Sequence, residues 1–262
     1  MQHMRRTAEV LWHADMTSHE ATPAPASQRR HRQSRTDYSH AQTVKLDAAV
    51  LREHRVLTGN APRPFAESCH QLRTQILHRF RENGWNSLAI TSPREGAGKT
   101  LTAINLAISM ARMIGYSVLL VDANLHRPAI MEHLGLPEGR GLGDYLSDDM
   151  PVENQLIRSD HFDDLVIFPG GQPLNDAGAL LNSQRMKQLI RYLKSRAHNH
   201  IVILDLPPVL ACTEASAIAR QMDAALLVIE DGVTTRQDAQ HAAGMLGSAH
   251  LAGTVLNKVR GT

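Results

Sequence analysis

Gly96, Gly98, Lys99 and Thr100 follow a short aliphatic run, Leu88-Ala89-Ile90-Thr91, within the segment Ser92-Pro93-Arg94-Glu95-Gly96-Ala97-Gly98-Lys99-Thr100. Two glycines so close together let a backbone curl until successive N–H groups point at one anion. A helix that starts just beyond them adds its positive end. A lysine at that position reaches the outer phosphates of a nucleotide, and the hydroxyl after it ligates Mg²⁺. The order is the GK[ST] half of a Walker A loop, with Pro93 where the usual pattern opens on glycine. Glu95, Gly96, Ala97, Gly98, Lys99, Thr100 and Leu101 are therefore read as the phosphate cradle.

Two aspartates end later aliphatic runs. Ser117-Val118-Leu119-Leu120-Val121 leads into Asp122, and Ile201-Val202-Ile203-Leu204 leads into Asp205, which Leu206-Pro207-Pro208 follows. A carboxylate at the carboxyl end of a buried strand beside such a loop can hold Mg²⁺ or orient a nucleophile. The second run is a Walker B pattern. Thr100, Asp122 and Asp205 are thus the candidate metal residues, and Lys99, Asp122 and Asp205 the candidate catalytic ones. Asn257 closes the run Val255-Leu256; its amide carries the donor and acceptor that an adenine edge requires.

These residues need strands to hold them. Short β-branched runs at 87–91, 117–121, 165–168, 201–204, 224–229 and 253–256 alternate with helical stretches. That pattern predicts a mostly parallel sheet with helices on both faces, an α/β nucleotide fold. Helices are expected at 47–55 and 65–81. Only 4% of residues are aromatic against 42% hydrophobic, so the core is aliphatic. Residues 17–43 hold almost no aliphatic side chains and include the run Arg29-Arg30-His31-Arg32-Gln33-Ser34-Arg35, read as a solvated tail. The expected division is a disordered arm over 1–43 and one nucleotide-binding domain over 44–262.

A net charge of +2 excludes a dedicated nucleic-acid binder, and two cysteines, Cys69 and Cys212, exclude a disulfide scaffold. Both cysteines read as packed thiols, and their number suits the cytoplasm. No apolar run is long enough to cross a membrane.

The segments SPREGAGKT, VLLVDANLHRP, ALLNSQRMKQLI, IVILDLPPVL and VLNK resemble the bacterial tyrosine kinase family of capsule and exopolysaccharide synthesis over about residues 46–258. The resemblance implies a P-loop fold of the deviant-Walker, Min/Par-like kind and an ATP–Mg²⁺ site made by Lys99, Thr100, Asp122 and Asp205. Asp122 would help to deprotonate a tyrosine hydroxyl. It also implies a separate membrane chain-length regulator as partner, recruitment to the inner membrane face, and a homo-oligomer through an assembly helix, here Glu67, His70 and Arg73.

Three positions depart from that pattern. Asn124 and His126 stand where the family has a second Asp and an Arg. Loss of one general-base contribution lowers a rate by about 10²–10⁴. The family's assembly helix has Arg where His70 stands, and no tyrosine-rich tail ends the chain: the four tyrosines are Tyr38, Tyr116, Tyr145 and Tyr192. Tyr116 and Tyr192 are expected to pack, which leaves Tyr38 as the freely presented acceptor. Glu214 is expected either to cap the helix after it or to touch the site. The alternatives to a kinase are a Min/Par-type partitioning ATPase, with Arg94 at its signature-lysine position, and a nucleotide-binding scaffold with little catalysis.

Overall fold

Successive residues of the strands Ser87–Thr91 (β3), Ser117–Asp122 (β4), His200–Asp205 (β7) and Ala224–Glu230 (β8) are buried on alternate faces. Leu88, Ile90, Leu120, Ile203 and Leu226 join one cluster; Ala89, Leu119, Val121, Val202 and Leu227 join another. Strands buried on both sides need cover on both sides. Helices Arg63–Asn83 (α2) and Lys99–Ala111 (α3) supply it for the first cluster; Gln184–Lys194 (α7), Thr213–Ala219 (α8) and Arg236–Leu246 (α9) supply it for the second.

The computed structural model describes residues 6–9, 41–148, 150–195, 199–247 and 251–260. The remaining strands are Arg6–Glu9 (β1), Gln42–Val44 (β2), Ile157–Ser159 (β5), Leu165–Phe168 (β6) and Leu251–Arg260 (β9), and the order across the nine-stranded sheet is β1-β9-β8-β3-β7-β4-β6-β5-β2. From β9 to β6 all neighbours are parallel; β1 on β9 and β5 on β6 are antiparallel. The chain leaves β3 for β4 toward one edge and leaves β7 for β8 toward the other. The carboxyl ends of β3 and β7 therefore flank a topological switch point, where ligands of such sheets bind.

All six expected strands are present, as are the two expected helices, one of them Ala48–Glu53 (α1) with Asp47 as its cap, bonded to the Ala49 N–H at 2.7 Å. Of the stretch expected to lack order, Arg6–Glu9 pairs with β9 and Gln42–Val44 with β5. A sheet edge offers unpaired backbone groups that an extended segment can take whatever its side chains. Residues 10–40, with the basic run and Tyr38, lie outside the described residues.

Two expectations about exposed faces change. Glu67, His70 and Arg73 are spaced by three residues, so each step lags 60° and Arg73 lies about 120° from Glu67 around the helix. Arg73 turns inward and donates to the Ser109 carbonyl of α3 at 3.1 Å, whereas Glu67 pairs with Arg63 on the surface at 2.7 Å. The three therefore do not share one face. Tyr192 is 44% exposed rather than packed, because the buried stripe of α7 is Met186, Leu189, Ile190 and Leu193 and position 192 lies off it. Tyr116 packs against the core and accepts from Arg81 at 3.2 Å.

Candidate functional site

The end of β3 is fastened to the segment after β7 before the loop begins. Leu206 N–H donates to the Ile90 carbonyl at 2.9 Å, Thr91 Oγ1 to the Pro207 carbonyl at 2.8 Å, and Val209 N–H to the Ser92 carbonyl at 3.0 Å. Pro207 and Pro208 bring no N–H of their own and stiffen this strut. Above it the chain turns through Gly96 (φ 82°) and Gly98 (φ 88°), both in the left-handed region, and enters α3 at Lys99. The first-turn amides of Lys99, Thr100 and Leu101 have no partner within the helix, and such a helix start is where an anion binds. Leu101 contributes that amide only, because its side chain packs against the core.

Lys99 and Thr100 lean onto Asp205. Thr100 Oγ1 donates to Asp205 Oδ2 at 2.6 Å, while Lys99 Nζ lies 3.1 Å from Thr100 Oγ1 and 3.5 Å from Asp205 Oδ1. Asp122 and Asp205 are paired in register on adjacent strands, and both are fully buried. Burial first, and then the charge of Asp205, pushes Asp122 well above the usual carboxylate range. Burial also raises Asp205, although Lys99 pulls the other way. One buried ammonium thus serves two buried carboxylates. A divalent cation would supply the missing positive charge, and the left-handed glycines followed at once by a helix start suit phosphate, so the residues fit a nucleotide with its metal.

Asp122 also builds the loop that follows it. Its Oδ2 accepts from Ala129 N–H at 2.9 Å and Ile130 N–H at 3.0 Å, and its Oδ1 from Asn124 N–H at 3.2 Å. The Asn124 side chain donates from Nδ2 to the Arg127 carbonyl at 2.9 Å. Two ion pairs stand on the rim: Arg94 grips Asp238 of α9 at 2.8 and 3.0 Å, and Arg127 pairs with Glu95.

These features meet what is known of similar proteins. The model of the CobQ/CobB/MinD/ParA nucleotide-binding domain matches residues 88–262. The tyrosine-protein kinase YwqD of Bacillus subtilis is 34% identical over 196 residues, which cover 73% of this chain and 80% of YwqD. The chain belongs to the bacterial tyrosine kinase family. AmsA of Erwinia amylovora is 31% identical over 218 residues, but the match takes in 82% of this chain and only 30% of AmsA. Among solved structures, the kinase domain of the Escherichia coli tyrosine kinase ETK is similar at a TM-score of 0.68 and 26% identity, over 85% of this chain and 91% of that one.

The fold gathers Lys99, Thr100, Asp122 and Asp205 at one switch point. Glu95 sits on the rim, tied to Arg127. Asn257 lies against the loop, with Nδ2 bonded to the Ala97 carbonyl. Glu214 stands in the first turn of α8 but does not cap it, since the N-cap is Cys212 without a side-chain bond. Its carboxylate accepts from the Cys212 thiol and the Thr213 hydroxyl rather than from the residues around Asp205. Its own backbone N–H, then the Cys212 thiol, hold it below the usual carboxylate range. Arg94–Asp238, Arg127–Glu95 and Thr91–Pro207 were not foreseen. Each joins segments that have no regular spacing in the chain.

Proposed function

We propose that this chain is an ATP–Mg²⁺-dependent protein-tyrosine kinase that regulates polymerisation and export of an exopolysaccharide or capsule. The observation that carries this reading is the buried contact of Lys99 and Thr100 with Asp205, one strand from Asp122. When bound, ATP–Mg²⁺ supplies the phosphoryl group and the divalent charge that offsets its oxygens. The amides of residues 96–101 orient the phosphates, and Lys99 draws charge from the outer ones. Thr100, Asp205 and Asp122 would hold the cation, and Asp122 would take the proton of the tyrosine hydroxyl. Tyr38 is the proposed acceptor within the chain. No helix among the described residues is long and apolar enough to cross a membrane. A separately encoded chain-length regulator is proposed, from the family resemblance, to recruit the domain, at 44–262, to the inner membrane face, where it would act as a homo-oligomer.

A second reading, a nucleotide-binding regulator with weak transfer, is favoured by Asn124, whose amide is committed to the Arg127 carbonyl. The partitioning-ATPase reading is disfavoured by Arg94, whose guanidinium is engaged by Asp238 of the same chain. Incubation with ATP–Mg²⁺ and phosphotyrosine mapping by mass spectrometry, with Lys99→Ala as control, separates the three. Phosphate on Tyr38 or on a partner peptide is the expected result. Rapid phosphate release without phosphotyrosine would establish the ATPase, and binding with neither would establish the regulator.

A further inference from the structure

Asn257 ends the stretch of β9 that pairs with β8, opposite Glu230. The next residue, Lys258, takes a left-handed backbone (φ 60°), and its ammonium is held by Glu230 at 2.9 Å. That turn lets the Lys258 N–H donate to Asn257 Oδ1 at 2.9 Å, which fixes the amide plane. The other end of the amide, Nδ2, then donates to the Ala97 carbonyl at 2.8 Å. Ala97 is buried, between the two left-handed glycines of the loop.

A trans peptide unit points its C=O and its N–H in opposite directions. The carbonyl of Ala97 belongs to the same unit as the N–H of Gly98. Holding that carbonyl at Asn257 therefore turns the Gly98 N–H the other way, into the cradle where phosphate oxygens lie. Close approach is part of the device: a Cβ on Gly98 would stand 2.1 Å from Asn257 Nδ2, so only glycine admits the amide.

We infer that Asn257 is a positioning residue for the phosphate-binding loop, setting phosphate affinity rather than the choice of base. The inference rests on the nucleotide-binding reading above, and titration of the unaltered chain with MgATP tests that reading first. The probes are MgATP and magnesium tripolyphosphate, which has no base, measured by calorimetry on the full chain. Asn257→Ala is expected to weaken both by the same factor, on the order of tenfold, as for one lost hydrogen bond. Asn257→Asp keeps the size and the acceptor for Lys258 but loses the donor to Ala97, and so tests the same contact. It is expected to weaken both probes at least as much, while its far-ultraviolet circular dichroism matches the parent's and shows that the fold is kept. If tripolyphosphate binding survives both changes while MgATP binding falls, Asn257 reads the base and the inference is wrong. Unchanged binding of both probes would overturn it as well. So would a parent chain that binds MgATP but not tripolyphosphate, because alignment of the cradle would then count for little.

Discussion

Asn124→Asp introduces the carboxylate that the family resemblance implies at this position, and the structure predicts two opposed consequences. Asn124 is 8% exposed, and its Nδ2 donates to the Arg127 carbonyl at 2.9 Å. An aspartate there has no donor, so its carboxylate faces a carbonyl and stands two residues from Asp122, which burial and Asp205 already push upward. Loss of a buried hydrogen bond with an acceptor left unpaired costs about 1–3 kcal/mol. Taking about 2 kcal/mol, the thermal midpoint without divalent cation should fall by roughly 4–8 °C for a domain of this size. The added carboxylate also strengthens the cation site, so saturating Mg²⁺ should return most of that loss by mass action. Scanning calorimetry of parent and variant, each in EDTA and in Mg²⁺, measures both halves. A variant that melts with the parent in EDTA would show that the Asn124 amide does not hold the loop. A midpoint depressed equally in EDTA and in Mg²⁺ would show that position 124 does not face the cation.

Asp223 accepts from Asn86 N–H, Ser87 N–H and Ser87 Oγ and pairs with Lys194 at 2.6 Å, so Asp223→Ala should destabilise the fold by about 3 kcal/mol in urea titrations. Burial pushes this carboxyl up, but Lys194, Asn86 and Ser87 outweigh it and hold the group below its ordinary value. Its contribution is thus complete above the unfolded carboxylate pKa, about 3.9, and is lost as pH falls through the depressed folded value; the variant should lack that acid-limb slope. Arg73→Ala should lower the melting temperature through the lost bond to the Ser109 carbonyl, whereas Glu67→Ala should leave it unchanged. The opposite ranking would mean that Arg73 faces outward after all.

Six strands were legible because each is a run of β-branched or aliphatic residues closed by a turn; two of them end on Asp122 and Asp205, and the loop after a third leads to Lys99. β1, β2 and β5 were not. They are three or four residues long, at or near an edge, and owe their existence to the strand beside them. α2 was legible as a helix, yet its spacing by three misled about which side Arg73 takes, because only the packing of α3 sets the rotation.

The chemistry of the site was determined by sequence alone. A glycine pair before Lys-Thr and an aspartate at the end of an aliphatic run act within a few residues, where backbone geometry is set locally. The tertiary structure decided which charges are left to meet a ligand. Thr100 meets Asp205 across 105 residues, Arg94 meets Asp238 across 144, and Asn257 meets Ala97 across 160. Those meetings follow from the strand order β9-β8-β3-β7-β4, and strand order comes from burying both faces of a sheet at once, which no local spacing encodes.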